Sequence, residues 1–202
     1  MILAPRAPPH WDSSDVSNAA PLILKNGTVM LGYRAGGDGV ALAGGIGIAF
    51  ASRWNRTYTR KVGADGMLFA AEDAAMYRDT KGHFHMLAHR FAAGNGSTVG
   101  SAVGGHAYSS DGLVWTLSPH AAYNTTVHLE AGKGDMVLYR RERPKPVFSG
   151  GGGGGDSAAG VGGDMVGLWN GAWPCHVGAE GDDTKDAAAD CESFTLFTEV
   201  VQ

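Results

Sequence analysis

The chain is written in short runs. HFHMLAH and FTLFTE alternate apolar with polar positions, while PLIL, GIGIAF and MVGLW are nearly continuous apolar stretches of strand length. Alternation over four to eight residues predicts half-buried strands, and short apolar runs bounded by turn residues predict strands covered on both faces. Almost nothing has a helical period. The acidic, alanine-containing loop over 178–190 is the one candidate for a helical turn.

Turn signals group these runs into units. PLILKNGTVMLGYR predicts a hairpin about Asn26-Gly27, and GIGIAFASRWNRTYTR, beyond a Gly/Ala loop, supplies two more strands joined near Trp54-Asn55. The stretch from Ala71 to Ser118 repeats that order, with turns at Lys81-Gly82 and Asp111-Gly112. Gly27 and Gly82 stand about 55 residues apart, in the range of sheet repeats. A hairpin about Gly132-Lys133-Gly134 leads to a third copy, RERPKPVF, MVGLWNGAW and ESFTLFTEVV, with the glycine tract 150–155 at the turn.

Four-stranded units repeated in this way predict an all-β class, a β-propeller with about three blades present. The expected divisions are an irregular segment over 1–17 and blades over about 18–62, 68–120 and 121–202, with a low-complexity, disordered Gly-rich loop at 149–163. A β-sandwich with hairpins of similar length is the rival architecture. Three units fall short of a common closed ring, so the expectation is either that the chain is a fragment of a larger ring or that the missing blades are supplied by sequence upstream of Met1.

Composition narrows the partners. A net charge of -4 over 202 residues leaves no basic stripe for phosphates, so no nucleic-acid partner is expected. No run approaches the roughly 20 apolar residues of a membrane span. The glycine tract is no phosphate loop, because no Lys-Ser/Thr follows it. Asn26, Asn55, Asn95 and Asn124 each begin an N-x-Ser/Thr sequon, which suggests a secretory route, although turns are rich in these residues anyway. Met1-Ile-Leu is followed by prolines and Arg6, with no apolar leader; a secreted protein would then lack its true N-terminus here. Cys175 and Cys191 flank the acidic loop, as a disulfide or as two free thiols. A monomer is expected.

The leading strands begin Asn18-Ala-Ala-Pro, Asp73-Ala-Ala-Met and Glu142-Arg-Pro-Lys, and inner strands of a propeller converge on its axis. Asn18, Asp73 and Glu142 are therefore expected to share an axial pocket. Glu72 precedes Asp73, but adjacent strand residues point to opposite faces, which singles out Asp73. His83 and His85 fall on one strand face, with His89 beyond. These histidines are read as pocket-lining or solvent-facing, not as a zinc set, and no metal or other cofactor is expected. His106, after Gly104-Gly105, is a candidate for the channel wall. Asp73 and Glu142 have a plainer reading, as strand caps or ion-pair partners of Arg78, Arg140, Arg141 and Arg143. Trp54 and Trp115 are expected between blades, and Trp169 and Trp173 in the core rather than stacked on a sugar.

SNAAPLILKNGTVMLGYR, EDAAMYRDTKGHFHMLAH, GGHAYSSDGLVWT, RRERPKPVF and the WNG…SFTLF tail, in that order and spacing, resemble the five-bladed glycosidases that include the arabinanases, xylosidases, levansucrases and invertases (glycoside hydrolase families 43 and 32). The resemblance implies a carbohydrate partner and O-glycosyl hydrolysis, with Glu142 as general acid and Asp73 tuning its pKa. Asn18, Glu72, His85, His106 and Arg141 would then bind substrate. The general base of such enzymes is an Asp on the first blade, where this chain has Asn18. An amide cannot take a proton from water, so a catalytically inactive propeller that binds glycan or protein is the alternative.

Overall fold

The computed structural model describes residues 2–36, 44–61, 66–90, 103–129, 133–149, 164–173 and 194–199. Cys175, Cys191, Asn95, the glycine tract and the 178–190 loop lie outside these residues. The chain is an all-β partial propeller. No helix occurs among the described residues, and none is long and apolar enough to cross a membrane.

The first sheet runs β1 (Asp15–Ile23), β2 (Val29–Gly36), β3 (Gly45–Ala51) and β4 (Thr59–Arg60), with β5 (Met67–Phe69) also paired to β3. The second runs β6 (Glu72–Arg78), β7 (Phe84–Arg90), β8 (Val103–Ser109) and β9 (Thr116–Leu117). A hairpin of β10 (Thr126–His128) and β11 (Asp135–Val137) leads to a third sheet of β12 (Arg140–Phe148), β13 (Met165–Trp173) and β14 (Phe194–Glu199). Every pairing is antiparallel.

The leading hairpins turn alike. Gly27 and Gly82 take φ values of 84° and 91°, which a side chain would resist. The Asp79 carboxylate caps the second turn by accepting from the His83 backbone N–H at 2.7 Å, and Asn26 Oδ1 caps the first by accepting from the Thr28 N–H at 3.0 Å.

The principal core lies between the first two sheets. Leu22, Met30, Ile46 and Ile48 from one meet Ala74, Phe84, Met86 and Ala107 from the other, with Trp115 packed against them. Each fully buried large side chain contributes about 1.5–3 kcal/mol of transfer free energy. The third sheet is held by two smaller clusters, Leu87 with Tyr123 and Leu168, and Val127 with Leu138 and Ala172.

The segment before β1 is pinned to the first sheet. Trp11 stacks on Tyr33 with ring centroids 5.9 Å apart, and the buried Asp12 carboxylate takes Arg6 Nε and Arg60 Nε, each at 2.6 Å.

Two tryptophans depart from expectation. Trp54 is 70% exposed, in the turn between β3 and β4. Trp169 is 44% exposed: alternation along β13 sends its neighbours Leu168 and Asn170 inward and Trp169 outward, beside Phe197. The described sequon asparagines, Asn26, Asn55 and Asn124, are all exposed.

Candidate active site

Three bulges at equivalent places in the inner strands build the site. Partner register steps from Ser17↔Arg34 to Ala20↔Gly32 in β1, from Glu72↔His89 to Ala75↔Leu87 in β6, and from Glu142↔Gly171 to Lys145↔Trp169 in β12. Each inner strand thus carries one residue more than its partner. Inside each bulge lies a left-handed residue: Asn18 at φ 48°, Asp73 at 54° and Arg143 at 51°. Among the described residues no other non-glycine residue has a positive φ. Such a backbone costs on the order of 1 kcal/mol or more per residue and gathers at functional sites.

The bulges correct two sequence expectations. The third repeat aligns one residue later: Arg143 is the counterpart of Asn18 and Asp73, while Glu142 matches Glu72 and Ser17. A polarity pattern cannot reveal an inserted residue, so the strand-start alignment stopped at the carboxylate. Glu72 and Asp73 also share one side after all. Atoms of Glu72, Asp73 and His89 lie within 4.8 Å of one another, because the left-handed turn at Asp73 cancels the alternation that would have parted them.

Two polar lines cross the three blades. One alternates in charge: Asp15 takes Arg34 Nη1 at 3.3 Å, Arg34 Nε reaches Glu72 Oε2 at 3.2 Å, and His89 Nδ1 stands 3.5 Å from Glu72 Oε1 and 3.4 Å from Glu142 Oε1. Arg140 Nε then closes on Glu142 Oε1 at 2.6 Å. In the other, Asn18 Nδ2 donates to Asp73 Oδ1 at 2.6 Å, and Arg143 Nε lies 3.7 Å from Asp73 Oδ2. Because two distances end on the same His89 nitrogen, the Glu72 and Glu142 Oε1 atoms are at most about 7 Å apart, close enough to flank one glycosidic bond.

Environment separates the carboxyls. Burial raises the Glu142 carboxyl, and the charge of Arg140 offsets this only in part, so it sits above its ordinary value. Burial acts on Glu72 in the same direction but is outweighed by the contact with His89 and the charges of Arg34 and Arg140, which hold it below. Asp73 is pushed up by burial and then by the neighbouring Glu72. A pair of carboxyls driven apart in this way suits one to donate a proton and the other to accept one. Glu72, Asp73 and His89 also offer a donor set suited to a divalent cation.

Asn18, Glu72, Asp73 and Glu142 are thus brought together. His85, His106 and Arg141 are not in that cluster. His85 Nδ1 meets His106 Nε2 at 3.0 Å, its Nε2 meets Asp79 Oδ2 at 3.2 Å, and its ring stacks on Tyr77. Arg141 leaves β12 on the face opposite Arg140 and Glu142. Arg34 escapes the sequence reading as a site residue, and His89 enters it only as pocket-lining or solvent-facing. Both are the cross-strand partners of bulge residues, Ser17 and Glu72, so hairpin register was the signal that could have found them.

The fold is of the propeller type found among glycosidases. No protein-family model matches the sequence, and no curated protein does. Among solved structures, a candidate glycoside hydrolase from Parabacteroides distasonis aligns with 86% of this chain at TM-score 0.53 and 15% identity, over 54% of its own length. A structure from the GH130 family of mannoside phosphorylases and glycoside hydrolases, which target β-1,2-mannosidic linkages in Candida mannan, aligns with 86% at TM-score 0.54 and 14% identity, over 53% of its length. A candidate glycosidase from Bacteroides thetaiotaomicron aligns with 85% at TM-score 0.52 and 16% identity, over 51% of its length. The chain spans about half the length of these neighbours.

Proposed function

We propose that this chain binds a glycan at the axial cluster and cleaves a glycosidic bond there, with Glu142 as general acid. The observation that carries the reading is the shared His89: two carboxylates from different blades converge on one imidazole, one held above and one below the ordinary glutamate range. Glu142 would protonate the leaving oxygen. Glu72 would accept the proton of the attacking water, the task that Asn18 cannot perform. Asp73, fixed by the Asn18 amide, would hold the sugar and raise Glu142 through its charge. The exposed sequon asparagines favour a secretory route. Relatedness to glycoside hydrolase families 43 and 32 belongs to the same reading.

A screen of aryl glycosides with the wild-type chain and Glu142→Gln tests it. Loss of an acid group of this kind costs about 10²–10⁴-fold in rate. Hydrolysis at an unchanged rate in the variant would eliminate Glu142 as the acid. The second reading, a non-catalytic glycan binder, draws on the direct Asn18–Asp73 hydrogen bond, which occupies the first-blade position without a base. Glycan retention with no product from any glycoside would favour it.

A further inference from the structure

We propose that the groove between the second and third blades is a binding site for a small oxyanion, carboxylate or phosphate, whose counter-charge is Arg141. The Arg141 side chain is buried, with the residue 4% exposed. Its Nη1 donates to the Asn124 carbonyl at 3.0 Å, and its Nη2 to Asn170 Oδ1 at 2.8 Å and Thr198 Oγ1 at 3.2 Å. Those acceptors are all neutral. Among the described residues no carboxylate lies within ion-pair distance of this guanidinium, and its buried Nε has no hydrogen-bond partner. Its face packs on the Tyr123 ring, with Cζ 4.8 Å from the centroid.

A buried cation without an anion is costly, and proteins usually pair or neutralise it. Here the missing partner has a place to sit. Arg141 lines a cavity of about 490 Å³ together with Leu87, Leu168, Tyr123, His106 and His120. His106 is held in that lining by the contact of its Nε2 with His85 Nδ1, and His85 is in turn held by Asp79. Glu199, also on the rim, is exposed, so water screens its charge. The neighbouring Glu142 is on the other face of β12 and is engaged by Arg140. The guanidinium keeps one Nη1 N–H and its Nε N–H uncommitted, and its full charge favours a carboxylate or phosphate oxygen, while the apolar side chains of Leu87 and Leu168 would accept the body of an acidic sugar. This site is separate from the axial cluster and does not depend on catalysis there.

The test is calorimetric titration and thermal melting of the full chain with sodium glucuronate and, in a second arm, inorganic phosphate. Chloride at matched ionic strength and neutral glucose are the controls. Saturable heat and a rise in melting temperature of several degrees with either anion, absent with both controls, is the expected result; which arm responds identifies the carrier of the charge. Arg141→Gln should abolish it. Since that variant could unfold, Ala122→Glu, on the exposed rim, places a competing carboxylate without touching Arg141 and should weaken binding at least tenfold. Failure of both anions to saturate the wild-type chain, or unchanged affinity in a folded Ala122→Glu, would overturn the proposal.

Discussion

Glu72 and Glu142 show how two identical side chains come to lie on opposite sides of the ordinary glutamate value. Each touches His89 and each has an arginine, Arg34 at 3.2 Å from Glu72 and Arg140 at 2.6 Å from Glu142, but the Glu142 side chain is the more deeply buried, 6% exposed against 17%. A bell-shaped rate profile follows, with limbs that belong to the coupled pair. Activity should fall at acid pH as Glu72 gains a proton and at higher pH as Glu142 loses one; Glu72→Gln should lower the rate throughout, remove the acid limb and, by taking away a charge that raises Glu142, move the alkaline limb to lower pH. Asp12 gives a prediction for stability. Burial would raise its carboxyl, but the hydrogen bonds and charges of Arg6 and Arg60 outweigh it and set the folded value below the ordinary one. Unfolding therefore takes up a proton at low pH, and this contribution is present above about pH 4 and lost as pH falls through the depressed value. Asp12→Asn should cost about 2–4 kcal/mol in denaturant unfolding at neutral pH, the range for breaking a buried pair with partly exposed partners.

Inner strands with bulges are the elements on which the site depends. Much of their placement was legible in the sequence: the hairpin about Asn26-Gly27, the Lys81-Gly82 turn and the run MVGLWNGAW all fall where turn chemistry and apolar length put them. The bulges were not legible, because an inserted residue leaves hydrophobic alternation on both sides intact and changes only its phase. That hid Arg143 behind Glu142 and kept Glu72 apart from Asp73. Trp169 went astray for a related reason, since apolar content cannot say which face of a strand is covered. The bulge in β12 makes its own prediction. Arg143→Val places a β-branched residue in a left-handed backbone and should destabilise by about 1–2 kcal/mol, whereas Arg143→Gly should be near neutral, its strain relief offsetting its entropy. Thermal melting of the two variants checks this, and equal losses would count against a strained bulge.

Across the whole molecule, stability is unevenly shared. The large cluster joining the first two sheets buries Ile46, Met86 and Met30 completely or nearly so, while the third sheet leaves Val166, Trp169 and Phe197 substantially exposed. Hydrogen exchange should therefore be slowest in β2, β3 and β7 and distinctly faster in β13 and β14; uniform protection would mean the sheets open as one unit. The proposed chemistry depends on that arrangement, because its groups come from all three sheets. The most direct test of the acid assigned to Glu142 is the rate of Glu142→Gln on aryl glycosides of graded leaving-group acidity. A leaving group that departs without a proton has no need of the acid. The expected result is a rate near wild type on dinitrophenyl glycosides and a loss of about 10²-fold or more on phenyl or alkyl glycosides. A uniform loss across the series, or none at all, would contradict it.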